Sequence, residues 1–220
     1  MDEIHRYYDE LAATYDESRF GNSYGQIIDI LERRILQRLL SKADPQTTVE
    51  LACGTGRLLD WATTGVDISE EMLRTAAARH PQKRCIQASV EQLPFPVSTI
   101  DHIYCFHLLM HLDAQKFAAL SRESQRVLRP GGRLIIDFPS ALRRRISRRS
   151  NRGWHGSFSP NLSEFEALGW QIKGIYPVLF VPVHRIPTFL RWLCVPLEQF
   201  CSAVLPVRWA SYIVAELESS

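Results

Sequence analysis

Apolar residues near the start of the chain recur at the spacing of an α-helix. Residues 24–40 place Ile27 and Leu31 four positions apart, and Glu32 is expected to face away from this stripe together with the arginines that follow it. Residues 4–17 form a shorter segment of the same kind. The pattern therefore predicts two helices before any strand.

Short apolar runs alternate with amphipathic segments from residue 47 onward. The alternation predicts strands at 47–52, 63–67, 84–88, 100–105 and 132–138, and helices at 56–62, 69–79 and 113–128. Parallel strands joined by crossover helices produce this kind of order. We therefore expect a parallel sheet in the middle of the chain.

The last part of the chain loses this regular alternation. Residues 139–160 are polar, basic and too long for a minimal connection, so we expect a lid or a loop there. The prediction continues with a helix at 161–168, a strand at 170–183, a helix at 187–204 and a strand at 209–217. With about seven strands, the chain is predicted to form one α/β domain.

The composition favours one domain in a reducing compartment. The 220 residues are 45% hydrophobic and carry a net charge of +2, which gives no general attraction to nucleic acid or to an anionic membrane. Five cysteines, an odd number, lie mostly in apolar runs and favour buried thiols over a disulfide framework. The first residues lack the features of a secretory signal, and no run reaches about 18 apolar residues. We therefore expect a cytoplasmic protein without a membrane span.

A glycine-centred turn follows the first predicted strand. The segment VELACGTG at 49–56 ends an apolar run in small residues, which let the backbone bend sharply and let a ligand lie against it. Leu59 stands where a dinucleotide-binding fingerprint needs a third small residue, so the turn favours a nucleoside-like ligand without a pyrophosphate. Asp67 ends the next predicted strand, where a carboxylate can accept the hydroxyl protons of a ribose.

Four motifs resemble those of class I S-adenosylmethionine-dependent methyltransferases and come in the same order. They are ELACGTG at 50–56, GVDIS at 65–69, LPFP at 93–96 and LRPGG at 128–132. The segment YYDELAATYD at 7–16 is also similar to the family's entry helix, and the closest resemblance is to the ubiquinone/menaquinone-biosynthesis group. The resemblance implies S-adenosylmethionine as cofactor and a Rossmann-like, seven-stranded, mostly parallel sheet with helices on both faces and the last strand antiparallel.

We divide the predicted methyltransferase domain, residues 1–220, into four parts. Residues 1–45 would form an N-terminal helical cap and 46–138 the cofactor-binding core. Residues 139–160 would form a basic lid, and 161–220 would lie on the substrate side.

The resemblance implies a set of cofactor-binding residues around the glycine turn. Glu50 and the backbone of Ala52, Gly54 and Gly56 would face the amino-acid end of the cofactor, with Tyr15 and Arg19 closing over its carboxylate. Asp67 would hold the ribose, Ile68 and Met72 would enclose the adenine, Ser89 and the amide of Val90 would meet the adenine edge, and Phe106 would border the sulfonium.

Three departures from the family pattern affect this site. Ala52 replaces the more usual glycine, which is a mild change if its φ is negative. Ser89 stands where the family often has aspartate, so the adenine amino group would gain a neutral and weaker acceptor. The step of eleven residues from Gly56 to Asp67 is shorter than the usual crossover, so either the first helix has little more than two turns or the second strand has a different register from the one predicted.

The sequence marks the residues that would contact the methyl acceptor less clearly than those that would bind the cofactor. His107 and His111 follow the fourth predicted strand, and one of them could act as general base if the acceptor loses a proton. The alternatives are a half-buried pair or an accidental metal-like spacing, and no third ligand stands near enough in sequence to predict a metal site. The residues expected to contact the acceptor are Tyr8, His111, Arg145, Trp154 and His155.

Two further segments bear on the choice of acceptor. Six arginines between residues 143 and 152 fit a solvated loop, a lid that holds an anionic substrate, or a contact with nucleic acid. The apolar helix at 187–204 is expected to pack into the core, with an apolar acceptor pocket or a membrane-surface patch as the alternatives.

The sequence thus predicts an S-adenosylmethionine-dependent methyltransferase of a small-molecule acceptor, and the acceptor candidates include apolar or lipid-like molecules. Peripheral membrane contact stays open, whereas the near-neutral charge disfavours a nucleic-acid partner. The rival hypotheses are an RNA methyltransferase that uses the arginine-rich segment and a methyltransferase-like scaffold without turnover.

Overall fold

The N-terminal part of the chain forms three helices in the computed structural model, which describes residues 3–147 and 158–219. Helices α1 (Glu3–Leu11) and α2 (Tyr15–Phe20) occupy the segment where one helix was predicted, because the chain turns at residues 12–14. Helix α3 (Ser23–Leu40) begins at Asn22, whose side chain accepts the N–H groups of Tyr24 and Gly25.

Within the described residues, seven strands form one sheet, as the sequence predicts. They are β1 (Thr48–Leu51), β2 (Thr64–Asp67), β3 (Arg84–Gln87), β4 (Ile100–Cys105), β5 (Leu128–Pro139), β6 (Trp170–Val178) and β7 (Tyr212–Ser219). Their order across the sheet is β3-β2-β1-β4-β5-β7-β6. Strands β1 to β5 pair in parallel, and β7 pairs antiparallel with β5 and β6. The predicted fold class, including the antiparallel last strand, is confirmed.

The connections between the first strands differ in length. Helices α4 (Glu70–Arg79) and α5 (Ala114–Val127) are the predicted crossovers, and Ser69 and Asp113 cap them. The predicted helix at 56–62 is wrong, because only a 3₁₀ turn at Leu59–Trp61 joins β1 to β2. Left-handed backbone in the preceding glycine turn interrupts any α-helix at this place.

The segment after β5 contains more helix than the sequence indicated. Helix α6 (Ala141–Ser147) replaces the first part of the predicted basic lid, and residues 148–157 lie outside the described residues. Helix α7 (Leu162–Ala167) and strand β6 follow as expected, although β6 ends at Val178. The predicted helix at 187–204 is a 3₁₀ segment, Thr188–Leu193, followed by helix α8 (Cys194–Val204).

The two faces of the sheet are both covered. On β4, Ile103 packs into one hydrophobic cluster and Tyr104 into the other, and on β5 Leu134 and Ile135 divide in the same way. This alternation follows from the two-residue period of a strand. Helix α5 lies over one face and helix α3 over the other, so the strand ends are held between two helical layers.

The large apolar residues of this stretch do not all pack into the core as expected. On α8, Glu198 and Cys194 point inward and are almost fully buried, while Phe200 and Leu197 are 65% and 44% exposed, and Trp192 in the preceding 3₁₀ segment is 71% exposed. A helix that is apolar on several faces gives no pattern from which its buried face could be predicted. Among the helices that the structure describes, none is long and apolar enough to cross a membrane.

Candidate functional site

A cavity lies at the carboxyl ends of β1, β2 and β4, where ligands bind in open α/β sheets. Its lining brings together most of the residues predicted from the sequence. They are Tyr8, Tyr15, Ala52, Gly54, Asp67, Ile68, Met72, Ser89, Val90, Phe106, His107 and His111. The remaining lining residues are His5, Ala88, Glu91, Leu108, Leu112 and Lys116.

The glycine turn places bare backbone against this cavity. Gly54 has a φ of +52°, and a Cβ built on it would meet only the sulfur of Met72, at 4.0 Å. Gly56 also has a positive φ, but its missing side chain faces Ala76 and His80 on α4 instead of the cavity. The turn therefore offers Gly54 to a ligand and uses Gly56 to pack the turn against α4.

Ala52 adopts a conformation that the sequence analysis did not anticipate. Its φ is +51°, in the left-handed region that costs an L-residue roughly 1–2 kcal/mol. The negative φ on which a mild replacement depended is therefore not found. The surrounding turn holds this strained alanine in the wall of the cavity.

Asp67 connects the glycine turn to the end of β2. One carboxylate oxygen accepts the N–H of Gly54 at 2.8 Å, and the other accepts the N–H of Ser69 at 2.9 Å. Burial raises the pKa of Asp67, while the backbone hydrogen bonds oppose that rise. A carboxylate has about four lone-pair sites, so Asp67 can still accept a hydroxyl proton from a ligand.

The wall beside Asp67 is flat and largely apolar. Ile68 is 43% exposed, and Met72 is buried beneath the cavity. Ser89 and Val90 complete this wall, and the hydroxyl of Ser89 accepts the N–H of Glu91 at 3.2 Å. The arrangement suits a planar ring with a polar edge.

Several residues predicted for the site lie elsewhere. Glu50 is buried on β1 outside the cavity lining, where the Tyr104 hydroxyl donates to it at 3.4 Å, and burial raises its pKa well above the usual range. Arg19 donates to the Tyr7 hydroxyl at 2.9 Å and does not line the cavity. Arg145 is exposed on α6, away from the cavity lining. Trp154 and His155 lie outside the described residues.

The first two helices cover the cavity and are tied to the core by polar contacts. Asp9 accepts the hydroxyl proton of Ser69 at 2.5 Å, and Asp16 accepts that of Thr55 at 2.7 Å. The Tyr8 hydroxyl lies 2.8 Å from Nε2 of His111. The predicted helical cap thus supplies a wall of the cavity, with Tyr8 facing the segment after β4.

A buried ionic network supports the opposite wall. Nε2 of His107 lies 2.7 Å from Oε1 of Glu32, and Arg57 contacts Oε2 of Glu32 at 2.7 Å. The backbone N–H of His107, which has a φ of +61°, donates to Asp137 at 2.6 Å. Glu32 is only 2% exposed, so the expectation that it faces away from the apolar stripe of α3 is wrong.

The charges of this network favour a protonated His107. Burial alone would lower the pKa of His107, but the carboxylates of Glu32 and Asp137 outweigh burial and raise it. Burial raises the pKa of Asp137 to about 6, against the opposing effect of His107. An imidazolium held between carboxylates cannot accept a further proton.

Glu32, His107 and Asp137 also bring possible metal-ligating atoms within 4.8 Å of one another. Two atoms that bind one tetrahedral zinc ion at about 2.1 Å lie about 3.3 Å or more apart. The 2.7 Å between His107 and Glu32 is instead a hydrogen-bond distance. We therefore describe the cluster as an ionic network. Glu32 and Asp137 were not predicted from the sequence as residues of the site. Asp137 does carry a signal, because it is an acidic residue near the carboxyl end of an apolar strand.

Comparisons with known proteins agree with this architecture. Residues 49–136 match a family model described as a methyltransferase domain. A probable S-adenosylmethionine-dependent methyltransferase of Mycobacterium tuberculosis is 29% identical over 114 residues, which cover 49% of this chain and 41% of that protein. A ubiquinone/menaquinone biosynthesis C-methyltransferase of Campylobacter jejuni is 26% identical over 152 residues, covering 62% of this chain and 63% of that protein. The chain spans less than two thirds of either relative.

A solved structure extends the likeness over the whole fold. A S-adenosylmethionine-dependent methyltransferase of Thermotoga maritima, described as a possible histamine N-methyltransferase, matches 99% of this chain and 100% of its own with a TM-score of 0.68 at 16% identity. This likeness shows the fold, and the part of the chain that matches a methyltransferase domain is residues 49–136. The narrower quinone-biosynthesis group is not confirmed at these identities.

Proposed function

We propose that this chain is an S-adenosylmethionine-dependent methyltransferase that acts on a small-molecule acceptor. The observation that carries the proposal is that Gly54 presents bare backbone to the cavity beside the buried carboxylate of Asp67. A side chain at Gly54 would occupy the cavity, whereas bare backbone lets a nucleoside-like ligand lie against the turn. Asp67 supplies the acceptors that ribose hydroxyls require.

The cavity residues would bind the cofactor in one orientation. Bound S-adenosylmethionine supplies a methyl group activated by a sulfonium. Asp67 would hold the ribose, Ile68 and Met72 would enclose the adenine, and Phe106 would form the apolar wall near the reacting end. In methyl transfer, which is an in-line displacement, alignment and exclusion of water are the main tasks of the protein.

Tyr8 and His111 are the residues best suited to handle a proton from the acceptor. Burial raises the pKa of Tyr8, so its hydroxyl stays protonated at neutral pH, and it lies 2.8 Å from Nε2 of His111. In the His111 tautomer with an unprotonated Nε2, Tyr8 donates to that nitrogen, and a proton released by a hydroxyl or amine acceptor can pass to the Tyr8 oxygen as the Tyr8 proton moves to Nε2. His107 is less suited to that role because the carboxylates around it favour its charged form.

We further propose that the acceptor is apolar or aromatic. Leu108, Leu112 and Phe106 line the cavity together with Tyr8 and His111, and Lys116 is the one lysine or arginine among the described lining residues. Among the described arginines of the basic segment, Arg143 is engaged with the backbone oxygens of Trp209 and Phe180, and Arg145 is outside the lining. These contacts favour a small molecule over RNA.

The cytoplasm is the proposed place of action. All five cysteines are free thiols, and Cys53, Cys105 and Cys194 are buried. Free buried thiols fit a reducing compartment.

Methyl transfer from isotopically labelled S-adenosylmethionine tests the proposal. The protein is incubated with the labelled cofactor and either small-molecule extract or total RNA, and products are analysed by mass spectrometry. We expect a small molecule to gain one labelled methyl group, and this product to disappear with Gly54→Ala. Label found only in RNA supports the RNA hypothesis. Cofactor binding without any methylated product supports the scaffold hypothesis.

A further inference from the structure

The C-terminal segment exposes a continuous row of large apolar side chains, here called the aromatic face. It comprises Phe189, Trp192, Leu193, Leu197, Phe200, Val204 and Trp209. Phe189 is 75% exposed and Trp192 is 71% exposed, so these rings stand out from the surface and do not line a groove. Exposed apolar surface of this kind in a folded protein indicates a contact with another apolar phase or molecule.

The fold directs these residues outward. On α8 the carboxylate of Glu198 accepts the N–H groups of Phe180 and Val181 at 2.9 and 2.6 Å, which fixes one side of the helix against the core. Leu197 and Phe200 lie on the other side at helical spacing and continue the row to Val204. The aromatic face is therefore held in place by buried contacts on the opposite side of α8.

Along residues 179–211, the charges that reach the surface are all positive. Between residues 179 and 211 the formal charges belong to Arg185, Arg191, Arg208 and Glu198, and Glu198 is only 1% exposed. Helix α6 adds Arg143, whose guanidinium contacts the backbone oxygen of Trp209. This segment thus combines protruding aromatic rings with cations, and its residues 179–211 carry no exposed acid.

We propose that the aromatic face docks on a membrane surface that contains anionic lipids. Aromatic and aliphatic side chains beside arginines bind at the boundary between headgroups and acyl chains, and each cation near an anionic leaflet adds attraction. A second copy of this chain would bring the same cations against each other across a symmetric interface.

Vesicle flotation tests this docking with the full chain. The vesicles contain phosphatidylcholine alone or equal parts of phosphatidylcholine and phosphatidylglycerol. The test variant is Trp192→Ser with Phe200→Ser. The control is Val97→Ser, because Val97 is 64% exposed and lies outside the aromatic face. We expect the wild type to bind the mixed vesicles, and this binding to weaken as salt is added. The double variant should bind about tenfold or more weakly, whereas Val97→Ser should bind as the wild type does.

A charge variant keeps the test decisive if the double variant folds poorly. Arg185 and Arg208 are exposed, and Arg185→Glu with Arg208→Glu should weaken binding to the mixed vesicles at low salt about tenfold or more. Equal binding by wild type and both variants overturns the proposal. Absence of vesicle binding, together with a dimer in sedimentation that the aromatic variant abolishes, overturns it in favour of self-association.

Discussion

The carboxylate of Asp67 accepts the backbone N–H of Gly54 at 2.8 Å and so joins the ends of β1 and β2 at the cavity. The same carboxylate accepts the N–H of Ser69, which begins α4. One buried acid therefore orders the glycine turn and keeps lone pairs for a ligand. The cofactor site and the local fold depend on the same atoms.

Asp67→Ala is expected to weaken binding of S-adenosylmethionine more than tenfold. The ribose acceptors are lost, and the N–H groups of Gly54 and Ser69 lose their partners, which also lowers stability by about 1–3 kcal/mol. Isothermal titration and urea unfolding measure the two effects. The matched control is Asp101→Ala. The carboxylate of Asp101 pairs with Arg129 at 2.7 Å near the surface, so its removal should lower stability by under about 1 kcal/mol and leave the affinity for S-adenosylmethionine unchanged.

Ala52→Gly is expected to stabilise the fold by about 1 kcal/mol. Glycine adopts the positive φ of this position without the steric cost, although it adds freedom to the unfolded chain. Urea unfolding of the variant beside wild type checks this. A lower urea midpoint for Ala52→Gly would contradict this expectation. It would show that packing of the Ala52 methyl group stabilises the fold by more than the strained backbone at this position destabilises it.

Asp137→Asn is expected to lower the pKa of His107. The asparagine oxygen can still accept the N–H of His107, but one of the two carboxylates that favour the imidazolium is removed. Nuclear magnetic resonance titration of the His107 ring in wild type and in the variant measures the change. An unchanged His107 titration contradicts the network described here.

The same network predicts how stability depends on pH. His107 has a raised pKa in the folded state, so its stabilising contribution is full below about pH 6.5 and is lost as pH rises through the folded value. The pKa of Asp137 is raised to about 6 in the folded state, so its protonation also stabilises the fold at low pH. This contribution is lost as the pH rises from the usual pKa of an aspartate to about 6. Asp137→Asn should therefore flatten the fall of unfolding free energy over this range, as urea unfolding at several pH values will measure.

Asp16→Ala is expected to loosen the helical cap. Asp16 accepts from Thr55 at 2.7 Å and also contacts Arg79, so its loss detaches α2 from the glycine turn and from α4. We expect faster amide hydrogen exchange in α2 and faster release of bound cofactor. Glu17→Ala, an exposed neighbour on the same helix, serves as the control and should leave both rates near those of wild type.

The sequence predicts the sheet better than it predicts the acceptor side. Alternating apolar runs mark the strands, and the glycine turn with Asp67 marks the cofactor end because both depend on local chemistry. The network of Glu32, His107 and Asp137 joins positions far apart in the chain, so no local pattern indicates it. The outward face of α8 escaped prediction because the helix is apolar on several sides.

The central claim is that S-adenosylmethionine binds against Gly54. Gly54 and Gly131 both have a positive φ, and a Cβ added to Gly131 meets nothing within 4 Å, so alanine at either position carries similar backbone strain. Only Gly54 lines the cavity. Isothermal titration of S-adenosylmethionine into wild type, Gly54→Ala and Gly131→Ala should give affinity that falls at least about tenfold in Gly54→Ala alone. Equal affinity of all three proteins, or no binding to the wild type at millimolar cofactor, would contradict the account.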